Sequence, residues 1–230
     1  MSEPLSIRYR FELPDGSQKT LNFKFDPASF RLLNPPPAAP PFWTELEFNQ
    51  CANCPLKPAS HPHCPAALQM AAALEPLKML VSFDTVGVAV LQSERTVHVE
   101  TTAQQAMSSV LGLIMATAGC PWTDRLRPMA RFHLPFASEA ETLYRSVSMF
   151  LLSREMTAAV ERPAFDALTA LYENLHVVNR DMSRRLGAAT QTDPARNAMA
   201  LLDSYTTLLA AALDRSLEEW KPLFDAWENA

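Results

Sequence analysis

The apolar positions of this chain change period partway along, from two residues to between three and four. Ile7, Tyr9, Phe11 and Leu13 alternate with Arg8, Arg10 and Glu12, and Leu21, Phe23 and Phe25 alternate with Thr20, Asn22 and Lys24. Between these runs lies Pro14-Asp15-Gly16-Ser17, where Gly16 can take the positive φ that closes a hairpin. The pattern predicts a β-hairpin with one buried face. Alternation returns at Val86, Val88 and Val90 and, after Gln92-Ser93-Glu94-Arg95, at Val97 and Val99. A lone hairpin is marginal in water, so the two are expected to pair as one four-stranded antiparallel sheet packed on helices.

From Thr102 onward the period is helical. Thr102-Ala103-Gln104-Gln105 and Ser138-Glu139-Ala140-Glu141 read as capping boxes. A helix over 103–118 is apolar around most of its circumference (Met107, Val110, Leu111, Ile114, Met115), which makes it central, and Gly119 is its expected C-terminal stop. A helix over 139–156 shows Leu143, Val147, Phe150 and Leu151 on one face. Pro163 suits the first turn of a long helix bearing Phe165, Leu168, Leu171, Leu175, Val178 and Met182. Asp193-Pro194 opens another, with Ala198, Leu201, Tyr205, Leu208 and Ala212, and Ser216-Leu217-Glu218-Glu219 reads as the start of a last short helix. The fold class is therefore α+β, an N-terminal antiparallel sheet with a C-terminal helical bundle. The 230 residues read as a single domain. Its parts are a hairpin at 1–33, a proline-rich connector at 34–41, a cysteine-bearing loop with a short helix at 42–76, a second hairpin at 77–101 and the bundle at 102–230.

Composition narrows the function. With 48% hydrophobic and 20% charged residues, a chain of this length buries a sizeable core without disulfide staples. A net charge of −5 argues against a polybasic nucleic-acid or membrane-surface protein. Five glycines against nineteen prolines argue against a glycine-rich phosphate loop. Neither G-x-S-x-G, H-E-x-x-H, a Walker loop nor G-x-G-x-x-G occurs. The start of the sequence shows no basic segment followed by an apolar core, and the longest apolar runs, 110–118 and 207–213, fall short of the roughly 20 residues of a membrane span. The expectation is a soluble protein of a reducing cytoplasm, where clustered thiols bind metal rather than form disulfides.

All four cysteines fit one constellation. Cys51-Ala52-Asn53-Cys54-Pro55 is a C-x2-C pair, Cys64-Pro65 follows, and Cys120-Pro121 stands just past the end of the central helix. Two thiolates two residues apart can converge on one ion or cluster, a third from the same loop and a fourth from the bundle complete the set, and the site ties loop to bundle. The bland alternative makes Cys120 a small buried hydrophobe and the other thiols incidental. Zinc takes four cysteines or three with a histidine, and His61 and His63 are near enough to replace one. Three of the four cysteines precede proline, a context seen at an iron–sulfur ligand in the ferredoxin run, although the compact C-x2-C-x2-C run is missing. A [4Fe–4S]-type cluster is the preferred reading and zinc the second.

Arg125, Arg127, Arg131 and His133, directly after Cys120, could tune a cluster or hold an anion beside it; as ordinary surface chemistry they would cap the central helix or pair with Glu139 and Glu141. His176, Asn179, Arg180 and Asp181 form a polar patch amid leucines, read as a solvated helix face rather than a pocket lining, with Arg184 and Arg185 also exposed. Cys120 at a helix carboxyl end has its thiolate disfavoured by the dipole, the opposite of an activated nucleophile.

The runs Gln50-Cys51-Ala52-Asn53-Cys54-Pro55-Leu56, Cys64-Pro65-Ala66-Ala67 and Gly119-Cys120-Pro121, with Arg127-Pro128-Met129-Ala130-Arg131-Phe132-His133-Leu134-Pro135-Phe136, resemble an uncharacterised bacterial protein family of unknown function. The resemblance spans most of the chain and implies a bacterial origin, but no activity. The leading functional expectation is an iron–sulfur protein for electron transfer or redox sensing with a redox or regulatory protein partner. The alternatives are a zinc-stabilised interaction module and a small-molecule enzyme whose pocket gathers Arg127, Arg131 and His176.

Overall fold

The structure is a computed structural model that describes residues 3–157, 165–189, 193–224 and 226. β1 (Leu5–Glu12) and β2 (Gln18–Phe25) form the first hairpin, in register from Leu5 against Phe25 to Glu12 against Gln18. Gly16 closes it at φ +78°, and the Asp15 carboxylate accepts from the Ser17 amide at 2.9 Å. β3 (Thr85–Leu91) and β4 (Thr96–Thr102) form the second. β3 pairs antiparallel with β1, which gives one sheet in the order β2-β1-β3-β4. The expected four-stranded sheet and the α+β class are what the chain forms.

Period two buries one face of this sheet. Ile7, Tyr9, Phe11, Leu21, Phe23, Phe25, Val86, Val88 and Val90 all lie in the main core. The free edge at β2 is covered by the chain itself: Asn34 accepts from the Lys24 amide at 2.8 Å and donates to the Asn22 carbonyl at 2.7 Å. The proline-rich stretch leaves from that point, and Gln69 on α1 (Pro65–Leu74) donates to the Asn34 carbonyl at 2.9 Å. The connector is thereby clamped at its start to both sheet and helix.

α2 (Ala103–Thr117) lies beneath the sheet and is buried on nearly every side, as its all-round apolarity requires. Gly119, at φ +95°, turns the chain directly after it. A short α3 (Arg127–Arg131) leads to α4 (Glu139–Met156), which opens with a complete Ser138–Glu141 capping box. At Thr102 only half of the expected box forms. Its hydroxyl accepts from the Gln105 amide, while the Gln105 side chain instead accepts from Thr101. α5 (Asp166–Ala189) and α6 (Pro194–Trp220) pack side by side, and α6 also packs on α2. A second apolar cluster of Leu143, Val147, Leu168, Tyr172, Leu175 and Leu213 joins α4, α5 and α6.

Two expectations change. No separate helix begins at Ser216, because neither glycine nor proline interrupts the chain there; α6 continues to Trp220, and a 3-10 turn follows over Lys221–Phe224, where Pro222 stands. Asp193 precedes Pro194 as expected, but with helical φ and ψ its side chain makes no cap bond. Pro163 and the side chain of Leu208 lie outside the described residues.

Candidate functional site

The cysteine loop is folded around its own turns. The Cys54 amide donates to the Cys51 carbonyl at 3.0 Å, and Gln50 closes the loop by donating to the Leu56 carbonyl at 3.1 Å. The Cys64 amide donates to the Thr44 carbonyl at 2.8 Å. Cys64 occupies the N-cap of α1 in an extended conformation, which the following Pro65 enforces while supplying the preset φ of a first helical residue. Cys120 leaves α2 through Gly119.

Three groups of α5 and one after Cys120 hold this loop in place. Asp181, 2% exposed, accepts from the Ala52 amide at 2.8 Å; Asn53 donates to the Asn174 carbonyl and amide oxygens at 3.1 and 3.0 Å. The Cys51 thiol faces the Val178 carbonyl at 4.0 Å. Trp122 donates its indole N–H to the Asn53 carbonyl at 2.7 Å, which joins the C-x2-C turn to the segment after Cys120, and Arg125 lies over the Trp122 ring at 4.8 Å. All four thiols pack against the main core.

Their mutual influence is electrostatic. Burial is the larger cause that pushes the Cys51 thiol up to about 12, and proximity to Cys64, Cys120, Asp181 and Cys54 adds to it. Burial also raises Cys64, opposed by the backbone amides of Ala67 and Ala66 at the start of α1 and by the Arg185 guanidinium. Among the described residues, no group of three or more His, Cys, Asp or Glu side chains is arranged to hold a metal ion. Of the nearby histidines, His63 meets the Thr44 hydroxyl through Nδ1 at 2.9 Å, and His61 is exposed beside Ser60.

Arg185 was expected to be exposed; it is 1% exposed. Its guanidinium donates to the carbonyls of Trp43 (2.7 Å), Glu45 (2.6 Å) and Leu46 (3.0 Å). Asp181 and Asn179 are likewise buried rather than part of a solvated face. The reason is helical arithmetic: Asp181 and Arg185 follow Val178 by three and seven residues and so share its buried face. That spacing was available in the sequence, but their charge hid it.

The remaining residues that follow Cys120 go elsewhere. Arg127 pairs with Asp124 at 2.6 Å and donates to the Ser29 carbonyl, and Arg131 lies over Phe30 and Phe132; both line a surface groove with Arg125. His133 meets the Tyr9 hydroxyl at 2.5 Å beside an interior cavity. Burial, with the Arg145 charge, lowers its pKa to about 3, so the ring is neutral. His176 pairs with Asp203 on α6 at 2.7 Å, so Arg127, Arg131 and His176 do not converge. Among the described residues, no helix is long and apolar enough to cross a membrane.

Searches of curated proteins and of solved structures gave no match. A family model described only as a domain of unknown function, DUF6901, matches residues 7–225. That span takes in the sheet, the four cysteines and the helices that clamp them, and the chain belongs to the DUF6901 family.

Proposed function

We propose that Cys51, Cys54, Cys64 and Cys120 hold an iron–sulfur cluster of [4Fe–4S] type, used for electron transfer or redox sensing with a protein partner in a bacterial cytoplasm. The observation that carries the reading is the gathering of all four cysteines, from three separate segments, at one stapled junction between loop, α1, α2 and α5. Burial, with the charge of neighbouring thiolates, keeps the Cys51 and Cys64 thiols protonated; a bound cluster would replace those protons with iron. Around Cys64 the surroundings suit a thiolate, whereas the Asp181 carboxylate opposes one at Cys51. The amides at the start of α1 and the buried cation of Arg185 both favour negative charge on Cys64, and such contacts set a cluster's potential. A four-thiol set also leaves His61 and His63 to their present contacts with Ser60 and Thr44.

Anaerobic purification of the full chain tests this. The expected product is brown, absorbs near roughly 400 nm, contains about four iron and four acid-labile sulfide per chain and bleaches on reduction. Cys64→Ala and Cys120→Ala should each remove most of the iron. A colourless chain with one zinc replaces the cluster by a structural zinc site, whose removal would loosen this junction. A metal-free chain after anaerobic reconstitution overturns both.

A further inference from the structure

Between the sheet, α2, α4, α5 and α6 lies a cavity of about 500 Å³, within the size range of small-molecule sites. It opens between helices that each turn one face to it, with Ser108 and Gly112 from α2, Arg145 from α4, and Tyr172, Leu175 and Asn179 from α5. Most of its wall is apolar. Its polar groups are unusual in what they lack.

Asn179 and Ser108 are each only 7% exposed, yet neither side chain has a hydrogen-bond partner among the described residues. They also differ from the sealed unpaired atoms of this protein, such as Arg185 Nε and Asp124 Oδ1. Their polar atoms therefore open onto the cavity. A polar group that opens onto a cavity and has no protein partner is free to meet a ligand. Arg145 adds charge. Its Nη2 donates to the Met129 and Phe132 carbonyls at 2.6 and 3.0 Å, so Nη1 and Nε remain to donate. No carboxylate pairs with it among the described residues, because the nearby Glu141 is engaged at the Ser138 cap. The one acidic residue on the cavity wall, Glu100, is exposed.

We infer that this cavity binds a small organic anion with an apolar body, its carboxylate held by Arg145 and a polar group met by Asn179 and Ser108. The neutral imidazole of His133 and the hydroxyls of Ser109 and Tyr172 also line the cavity. Bidentate geometry suits arginine to a carboxylate, and with Glu141 engaged at the Ser138 cap no carboxylate among the described residues occupies Nη1 and Nε. This site is independent of the thiols.

Decanoate and 1-decanol, matched in chain and different in charge, are the probes, titrated calorimetrically into the full chain as isolated. The expected result is one decanoate per chain, a raised Tm and at least tenfold weaker binding of decanol. Arg145→Gln should abolish that preference, whereas Arg145→Lys retains it. Because Arg145 also clamps two carbonyls, Asn179→Leu serves as a second variant; it should lose decanoate binding while keeping the parent's circular dichroism. Absence of stoichiometric binding, equal binding of decanol, or unchanged affinity in Arg145→Gln overturns the inference. Iron content and colour play no part in the readout, so the outcome separates from that of the cluster.

Discussion

The thiol junction and the interior cavity lie on the same long helix and are built on opposite rules. At the junction the chain pairs most of its own polar groups: Asp181 holds the Ala52 amide, Trp122 the Asn53 carbonyl, and Arg185 three carbonyls of the loop, while Arg185 Nε and Asn53 Oδ1 stay sealed without a partner. At the cavity it does not, for Asn179, Ser108 and two nitrogens of Arg145 have no hydrogen-bond partner among the described residues. A closed polar network fixes the position of the groups it surrounds, while an open one leaves capacity for a visitor. The first arrangement suits a resident group and the second an exchangeable one.

The sharpest way to break this contrast is at Arg185. Arg185→Met leaves three carbonyls without their donor and should lower stability by about 3–5 kcal/mol in urea titration. Decanoate affinity in the folded fraction should stay within about twofold of the parent, since Arg185 belongs to the closed network alone. Coupled loss of both would mean that the two regions are one unit.

Acid probes the cavity side. His133 has its pKa lowered to about 3 from an ordinary 6.5. A folded-state value below the unfolded one means that its contribution is complete above pH 6.5 and is lost as pH falls toward 3. With allowance for the part of the ring facing the cavity, stability should drop by about 2 kcal/mol between pH 7 and 4, and His133→Phe should flatten that slope. An acid slope unchanged in the variant would place the titrating group elsewhere.

Trp122→Phe is the mildest change. It removes one donor from the Asn53 carbonyl, should cost about 1 kcal/mol, and should speed alkylation of Cys51 and Cys54 by iodoacetamide, followed by mass spectrometry. Protection unaffected by the change would show that α5 alone holds the turn.

The parts of the molecule that follow from local rules were legible in the sequence. Period-two runs around Pro14-Asp15-Gly16-Ser17 gave the first hairpin, all-round apolarity placed α2 at the centre, and Ser138-Glu139-Ala140-Glu141 marked the start of α4. The cysteine spacing and proline context carry the expectation of a thiol site, which stands as the proposal above. What charge conceals was harder to read: Asp181 and Arg185 are buried because segments more than a hundred residues away supply their partners, and Asn179 is buried by the helices around the cavity. The end of α6 was misjudged because a start signal at Ser216 carries little weight inside a helix that nothing interrupts.

Val178 and Asn179 are consecutive residues of α5, one with its carbonyl at the Cys51 thiol and the other with its side chain on the cavity. Neighbours on an α-helix are about 100° apart around its axis. α5 is therefore a party wall: it backs both chambers at once, and each can be altered from its own side.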